Sequence, residues 1–199
     1  MRATVRGTLS GTVQVPPSKS VAHRMLICAA LASEPCTIVC HSVNRDMEAT
    51  VQCLNALGAR ISYDGGSFSI TPISKVTKGA TLDCAESGST LRFLLPVAAA
   101  LGADAVFTGQ GRLPNRPLSP LYEEMTAHGI RMSENGRMPL TCQGTQRGRD
   151  HRDLCRAAGE PAGQAVGERN EELRYACLFK ECTEYDKYHD VFGTNVDRC

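Results

Sequence analysis

The sequence predicts a mixed α/β (α+β) fold built from repeated βαβαβ-hairpin units, and three observations carry that expectation. Short alternating apolar stretches take turns with Ala- and Leu-rich stretches of helical period. The same order of landmarks returns about seventy residues later. Both long apolar helices follow small hydroxyl residues, Ser18-Lys19-Ser20 and Ser87-Gly88-Ser89-Thr90.

Taken in order, Thr12-Val13-Gln14-Val15 alternates as a short strand and stops at Pro16-Pro17. Ser18-Lys19-Ser20 then leads into a helix expected over 21–32. Cys36-Thr37-Ile38-Val39-Cys40 reads as a strand. Asn44 is placed to cap a helix over 46–57, with Met47, Val51 and Leu54 on one face and Gly58 as its stop. Residues 59–63 and 68–71 form a hairpin around Asp64-Gly65-Gly66.

In the second passage, Cys84-Ala85-Glu86-Ser87-Gly88-Ser89-Thr90-Leu91-Arg92 is a loop feeding the apolar helix 91–101. Val106-Phe107-Thr108 answers Thr37-Ile38-Val39, and Ser119-Pro120-Leu121 opens a second amphipathic helix that stops at Gly129. His128-Gly129-Ile130-Arg131-Met132-Ser133 parallels Leu57-Gly58-Ala59-Arg60-Ile61-Ser62, and Asn135-Gly136 supplies another hairpin turn. Six landmarks in one order at a nearly constant offset point to duplication, with units over about 18–83 and 84–144.

Composition narrows the function. A chain of 199 residues with 42% hydrophobic and 22% charged residues suits a soluble globular protein. A formal net charge of +1 argues against nucleic acid or a membrane surface as the main partner, so an anion site must be a local cluster of cations. No apolar run is long enough to span a bilayer and the amino terminus has no signal-peptide core, which implies a cytoplasmic address. Ten scattered cysteines with no Cys-x-x-Cys pair suggest reduced, mostly buried thiols and no metal site.

The candidate chemistry lies at the helix starts. Unpaired amides and the positive end of the helix dipole favour an anion there. Gly88 lets a ligand approach the backbone, Ser89 and Thr90 offer hydroxyls, and Arg92 adds a cation in the first turn. The segment also fits an ordinary N-cap with nothing bound. Lys19 and Ser20 repeat the layout, with Arg24 about one turn further on, though a solvated Lys and Arg would read the same way. The loop Gly109-Gln110-Gly111-Arg112-Leu113-Pro114-Asn115-Arg116-Pro117 carries two more arginines. Five cations at loop or helix-start positions in a nearly neutral chain favour a small polyanionic ligand.

Three stretches carry a resemblance. Pro17-Ser18-Lys19-Ser20-Val21-Ala22-His23-Arg24, Glu86-Ser87-Gly88-Ser89-Thr90-Leu91-Arg92 and Arg112-Leu113-Pro114-Asn115-Arg116-Pro117 resemble, in order and spacing, the signatures of the 5-enolpyruvylshikimate-3-phosphate synthase family. The resemblance covers about residues 5–144. It implies part of the inside-out barrel of enolpyruvyl transferases. The implied activity is transfer of the enolpyruvyl group of phosphoenolpyruvate to the 5-hydroxyl of shikimate 3-phosphate, in aromatic amino-acid biosynthesis. It further implies a monomer with no metal or organic cofactor. By motif, Lys19 is the implied catalytic residue touching both substrates. Ser20 and Arg24 would join it on shikimate 3-phosphate, and Gly88 and Arg116 on phosphoenolpyruvate. Arg92 and Arg112 are neighbouring candidates. Related UDP-N-acetylglucosamine enolpyruvyl transferases carry a cysteine in the loop before the second arginine, and residues 107–116 contain none, which favours the shikimate enzyme. Glu86 and Ser87 depart from the Asn-Ala of many family members.

Beyond Gly144 the resemblance ends. The Ser-Ser-Gln motif, the acidic residues and the further cations of the family's second half are missing. Twenty of the fifty-five residues in 145–199 are charged and only eight are Val, Ile, Leu, Met or Phe, too few to bury a core. The expectation is a poorly ordered tail with at most a helix over 168–180, produced by a frameshift or a gene-model error, on a chain with little activity alone. The alternative is a non-catalytic fragment that binds shikimate 3-phosphate or regulates.

Overall fold

The computed structural model describes residues 17–144. The strand expected at Thr12-Val13-Gln14-Val15 and everything expected of 145–199 lie outside those residues.

Helix α1 (Lys19–Ala30) starts two residues before the expected Val21, because the Ala22 amide already reaches the Ser18 carbonyl at 3.0 Å and closes a first turn. Strand β1 (Cys36–Val39) follows. Helix α2 (Arg45–Leu57) is bounded by local chemistry at both ends. Asn44 Oδ1 accepts from the Asp46 and Met47 amides, each at 3.0 Å, and Asp46 and Glu48 place negative charge at the positive end of the dipole. Gly58 ends the helix with φ 120°, outside the range side chains tolerate.

Strands β2 (Arg60–Tyr63) and β3 (Ser67–Thr71) form the expected hairpin. In its turn Asp64 Oδ1 accepts from the Gly66 amide at 2.8 Å and the Ser67 amide at 2.7 Å, which holds the carboxyl below its ordinary pKa. Strand β3 turns Phe68 and Ile70 inward and Ser69 outward, the period of two expected of a half-buried strand. The sheet order is β1-β3-β2, all antiparallel.

Strand β4 (Thr81–Asp83) has no counterpart in the sequence reading, which ran 18–83 together as one unit. It pairs in parallel with β5 (Ala105–Thr108), Leu82 opposite Phe107, and so belongs to the second sheet. Between them runs α3 (Gly88–Ala100), begun three residues before Leu91 because Ser87 caps it. The second helical stretch is α4 (Leu121–Ala127), followed by β6 (Arg131–Met132) and β7 (Leu140–Gln143). The order is β4-β5-β7-β6, so the run β5-β7-β6 has the arrangement of β1-β3-β2.

One apolar cluster joins both sheets. Leu26 of α1, Met47, Leu54 and Leu57 of α2, and Leu91, Leu94 and Leu95 of α3 meet Phe68, Leu82 and Phe107 of the sheets, all nearly fully buried. Burial of each such side chain contributes about 1.5–3 kcal/mol. Helix α2 is central: it packs on α1 and α3, on β2, and on β4. Its Asn55 also secures the sheet edge, donating Nδ2–H to the Ile61 carbonyl at 3.1 Å and accepting the Ile61 amide on Oδ1 at 2.7 Å. Asn55→Ala should therefore lower unfolding free energy by about 1–3 kcal/mol, read from urea unfolding, since it strands a donor and an acceptor together.

Candidate functional site

The first cluster sits at the start of α1. Lys19 is half-exposed and its ammonium pairs with the Asp46 carboxylate from the first turn of α2. Ser20 is exposed, and its carbonyl accepts from Arg24 Nη1 at 3.0 Å. The Arg24 guanidinium lies 5.2 Å from the ring centre of Phe93 on α3, a cation–π contact, and its Nε is buried without a partner among the described residues.

The second cluster sits at the start of α3. Ser87 Oγ accepts from the Thr90 amide at 3.2 Å, so the capping expected of this segment is present. Arg116 lies against Gly88: a Cβ there would stand 2.7 Å from Arg116 Nη1, so only glycine leaves the guanidinium its place. Two backbone contacts hold the arginine loop to this helix start. The Gln110 amide donates to the Ala85 carbonyl at 2.8 Å, and the Arg112 amide donates to Glu86 Oε1 at 3.3 Å. Ala85 carries φ 49°, a left-handed conformation that costs a non-glycine residue about 1–2 kcal/mol, offset here by the Asp83 Oδ1 bond to its amide at 2.9 Å. The loop expected over 109–117 contains a short 3-10 turn, Leu113–Asn115, anchored by the buried Leu113.

The two clusters share one joint. Asp46 holds Lys19 with its side chain, while its backbone carbonyl accepts from Thr50 Oγ1 of α2 and from Thr90 Oγ1 of α3, each 3.2 Å away. The two threonine hydroxyls are 2.8 Å apart. Thr90 Oγ1 lies 2.8 Å from Ser87 Oγ, and Thr50 Oγ1 lies 2.7 Å from His23 Nδ1 on α1. His23, Thr50 and Thr90 have no exposed surface. Burial, then the nearby Lys19 charge, pull the His23 pKa down to about 4 against an upward pull from Asp46, so the imidazole is neutral at pH 7.

Of the residues singled out from sequence, the structure brings Gly88 and Arg116 into contact and ties Lys19 to the start of α3 through Asp46. Arg92 turns to the arginine loop, where Nη2 donates to the Pro117 carbonyl. Its Nη1 is buried without a partner among the described residues, and burial lowers its pKa. Arg112 contributes its amide to Glu86, and its side chain is exposed. Asp46, Thr50 and His23 were not anticipated. Asp46 reads as an ordinary first-turn acid, and only its position beside the Asn44 cap hints at a further role.

Among the described residues no helix is long and apolar enough to cross a membrane, and no group of three or more His, Cys, Asp or Glu could hold a metal ion. Cys40, Cys53, Cys84 and Cys142 are buried; burial pushes the Cys142 thiol up to about 12, and a contact with Cys53 raises that of Cys84.

A family model described as EPSP synthase (3-phosphoshikimate 1-carboxyvinyltransferase) matches residues 4–153. A 3-phosphoshikimate 1-carboxyvinyltransferase of Clostridium kluyveri is 43% identical over 146 residues, covering 72% of this chain and 34% of that protein. The protein of the same name from Clostridium beijerinckii is 39% identical over 147 residues, covering 69% and 34%. A solved EPSP synthase from Acinetobacter baumannii superposes with a TM-score of 0.61 at 25% identity, covering 69% of this chain and 32% of that one. The chain thus spans about a third of the length of the curated relatives it matches.

Proposed function

The chain belongs to the EPSP synthase family, and on that premise we propose that residues 17–144 form part of one lobe of an enolpyruvyl transferase, composed of two related units, that binds shikimate 3-phosphate. In this reading Lys19, Ser20 and Arg24 take the phosphate of shikimate 3-phosphate. Lys19, Gly88 and Arg116 face phosphoenolpyruvate, with Arg92 and Arg112 supporting the loop. The observation that carries the reading is the Asp46 joint, which ties the Lys19 helix start to the Gly88 helix start, so that two anion cradles are held by one residue.

The complete reaction adds the 5-hydroxyl oxygen to C2 of phosphoenolpyruvate as C3 takes up a proton, giving a tetrahedral ketal, and then expels phosphate from C2 as C3 gives up a proton. Its demand on the protein is to hold two polyanions together, and fixed cations meet it by orienting them and offsetting their charge. A chain with only part of the family's contacts should bind and turn over little. This favours the fragment reading, in which shikimate 3-phosphate is held without catalysis.

Calorimetry with shikimate 3-phosphate on the full chain tests this. Wild type should bind, and Lys19→Ala should bind about 10-fold to 100-fold more weakly, the range expected for loss of a charge-assisted bond of about 1.5–3 kcal/mol. Equal affinity in both would remove Lys19 from the site. Synthase turnover abolished by Lys19→Ala would overturn the claim of a lobe that only binds.

A further inference from the structure

His23 is a buried polar side chain for which the binding reading has no use. It lies on α1 between Ser20 and Arg24, its ring has no exposed surface, and its Nε2 has no partner among the described residues. A buried imidazole with one nitrogen unsatisfied is costly, and an aliphatic side chain would fill the site without that cost. What the ring provides is its other nitrogen. From Nδ1 an unbroken line of hydroxyls runs to Thr50 Oγ1 at 2.7 Å, to Thr90 Oγ1 at 2.8 Å and to Ser87 Oγ at 2.8 Å. It crosses from α1 through α2 to the cap of α3, the residue before Gly88.

Each hydroxyl has one proton to give, so the line meets the Asp46 carbonyl as a second acceptor. With the proton on Nδ1, His23 donates to Thr50, leaving Nε2 as a bare acceptor, and the Thr50 and Thr90 protons are shared between the next hydroxyl of the line and the Asp46 carbonyl 3.2 Å from each. The other tautomer would bury an unpaired N–H, the rarer defect in folded proteins. Phe93 of α3 completes the contact from the other side, with its ring 6.2 Å from that of His23 and edge-on to it, and with Arg24 over its face.

We propose that His23 is a positioning residue: through the hydroxyls of Thr50, Thr90 and Ser87 it holds the start of α3, with Gly88 and Ser89, in register with Lys19 and Arg24 on α1. The proposal rests on the reading that these two helix starts bind the two substrates. It assigns His23 no contact with either.

The test compares His23→Leu, His23→Asn and Thr50→Val with wild type in the full chain. An asparagine places its amide as many bonds from the backbone as Nδ1, so it can restore the bond to Thr50, whereas leucine cannot. At pH 7.5, His23→Leu and Thr50→Val should each bind shikimate 3-phosphate about tenfold more weakly, and His23→Asn should recover most of that loss. The amide resonances of Gly88 and Ser89, followed by NMR without ligand, should move in His23→Leu and return in His23→Asn. Thr50→Val supplies the broken chain should His23→Leu not fold. If wild type binds nothing, the substrate reading falls, and the positioning role is decided by the two amide resonances alone. Unmoved resonances in His23→Leu, or Asn behaving as Leu does, would overturn the proposal.

Discussion

Lowering the pH from 7 to 4 is expected to remove about 3 kcal/mol of unfolding free energy through His23 alone. The unfolded imidazole takes its proton near its ordinary pKa of 6.5, whereas the buried one takes it near 4. Between those values the unfolded chain binds a proton that the folded chain refuses. Stability is therefore complete above about pH 6.5 and declines as the pH falls towards 4. A gap of about two and a half units at 1.36 kcal/mol each gives the magnitude. Three groups frame the ring: Lys19 and Arg24 oppose its protonation and Asp46 favours it, with burial the largest influence. Urea unfolding at a series of pH values measures the effect, and His23→Asn separates it from carboxylates that titrate in the same range. The variant should show a shallower loss between pH 6.5 and 4. Equal slopes in the two proteins would mean that the ring is protonated as easily inside as outside.

Gly58→Ala should cost about 2–4 kcal/mol, the largest effect expected of a single methyl group in the described region. The backbone at this position has φ 120°, and an added Cβ would run into the Lys75 carbonyl oxygen, with the Lys75 carbonyl carbon only 3.5 Å away. Both partners are main chain, so no side chain can swing aside, and positive-φ strain adds to overpacking. Helix α2 ends here, and its last turn carries Asn55 and Leu57 into the sheet and the core. A drop in melting temperature of several degrees, against a Gly65→Ala control, would confirm the assignment. Gly65 also has positive φ, 98°, but nothing lies within 4 Å of its added Cβ, so the difference between the two isolates the Lys75 contact.

The elements legible in the sequence are those whose limits are set by neighbours along the chain. Asn44 and Gly58 bracket α2 because a cap and a left-handed stop act within a few residues. The Asp64 turn is equally local. Strand β4 escaped because three residues, Thr81-Leu82-Asp83, carry no pattern of their own; they become a strand by pairing with β5, more than twenty positions on. The same division runs through the site. Lys19, Gly88 and Arg116 stand out as cations and glycine at helix starts and in a loop. His23 and Thr50 read as ordinary members of apolar helices, since their importance arises from meeting Thr90, forty residues beyond Thr50 in the chain. Asp46 was visible only as a first-turn acid, because what matters is the lysine it meets from another helix.

If Lys19 takes the substrate phosphate as proposed, its pairing with Asp46 makes the arrival of that substrate a contest between rivals. Lys19 is engaged by a carboxylate from the first turn of α2, so on that reading an incoming phosphate competes with Asp46 for the ammonium. Affinity then measures the difference between two partners, which penalises weak or singly charged anions more than a doubly charged phosphate ester. Selectivity of this kind operates before any contact with the carbon skeleton of a ligand is made. The resident carboxylate serves as the threshold that a visitor has to exceed.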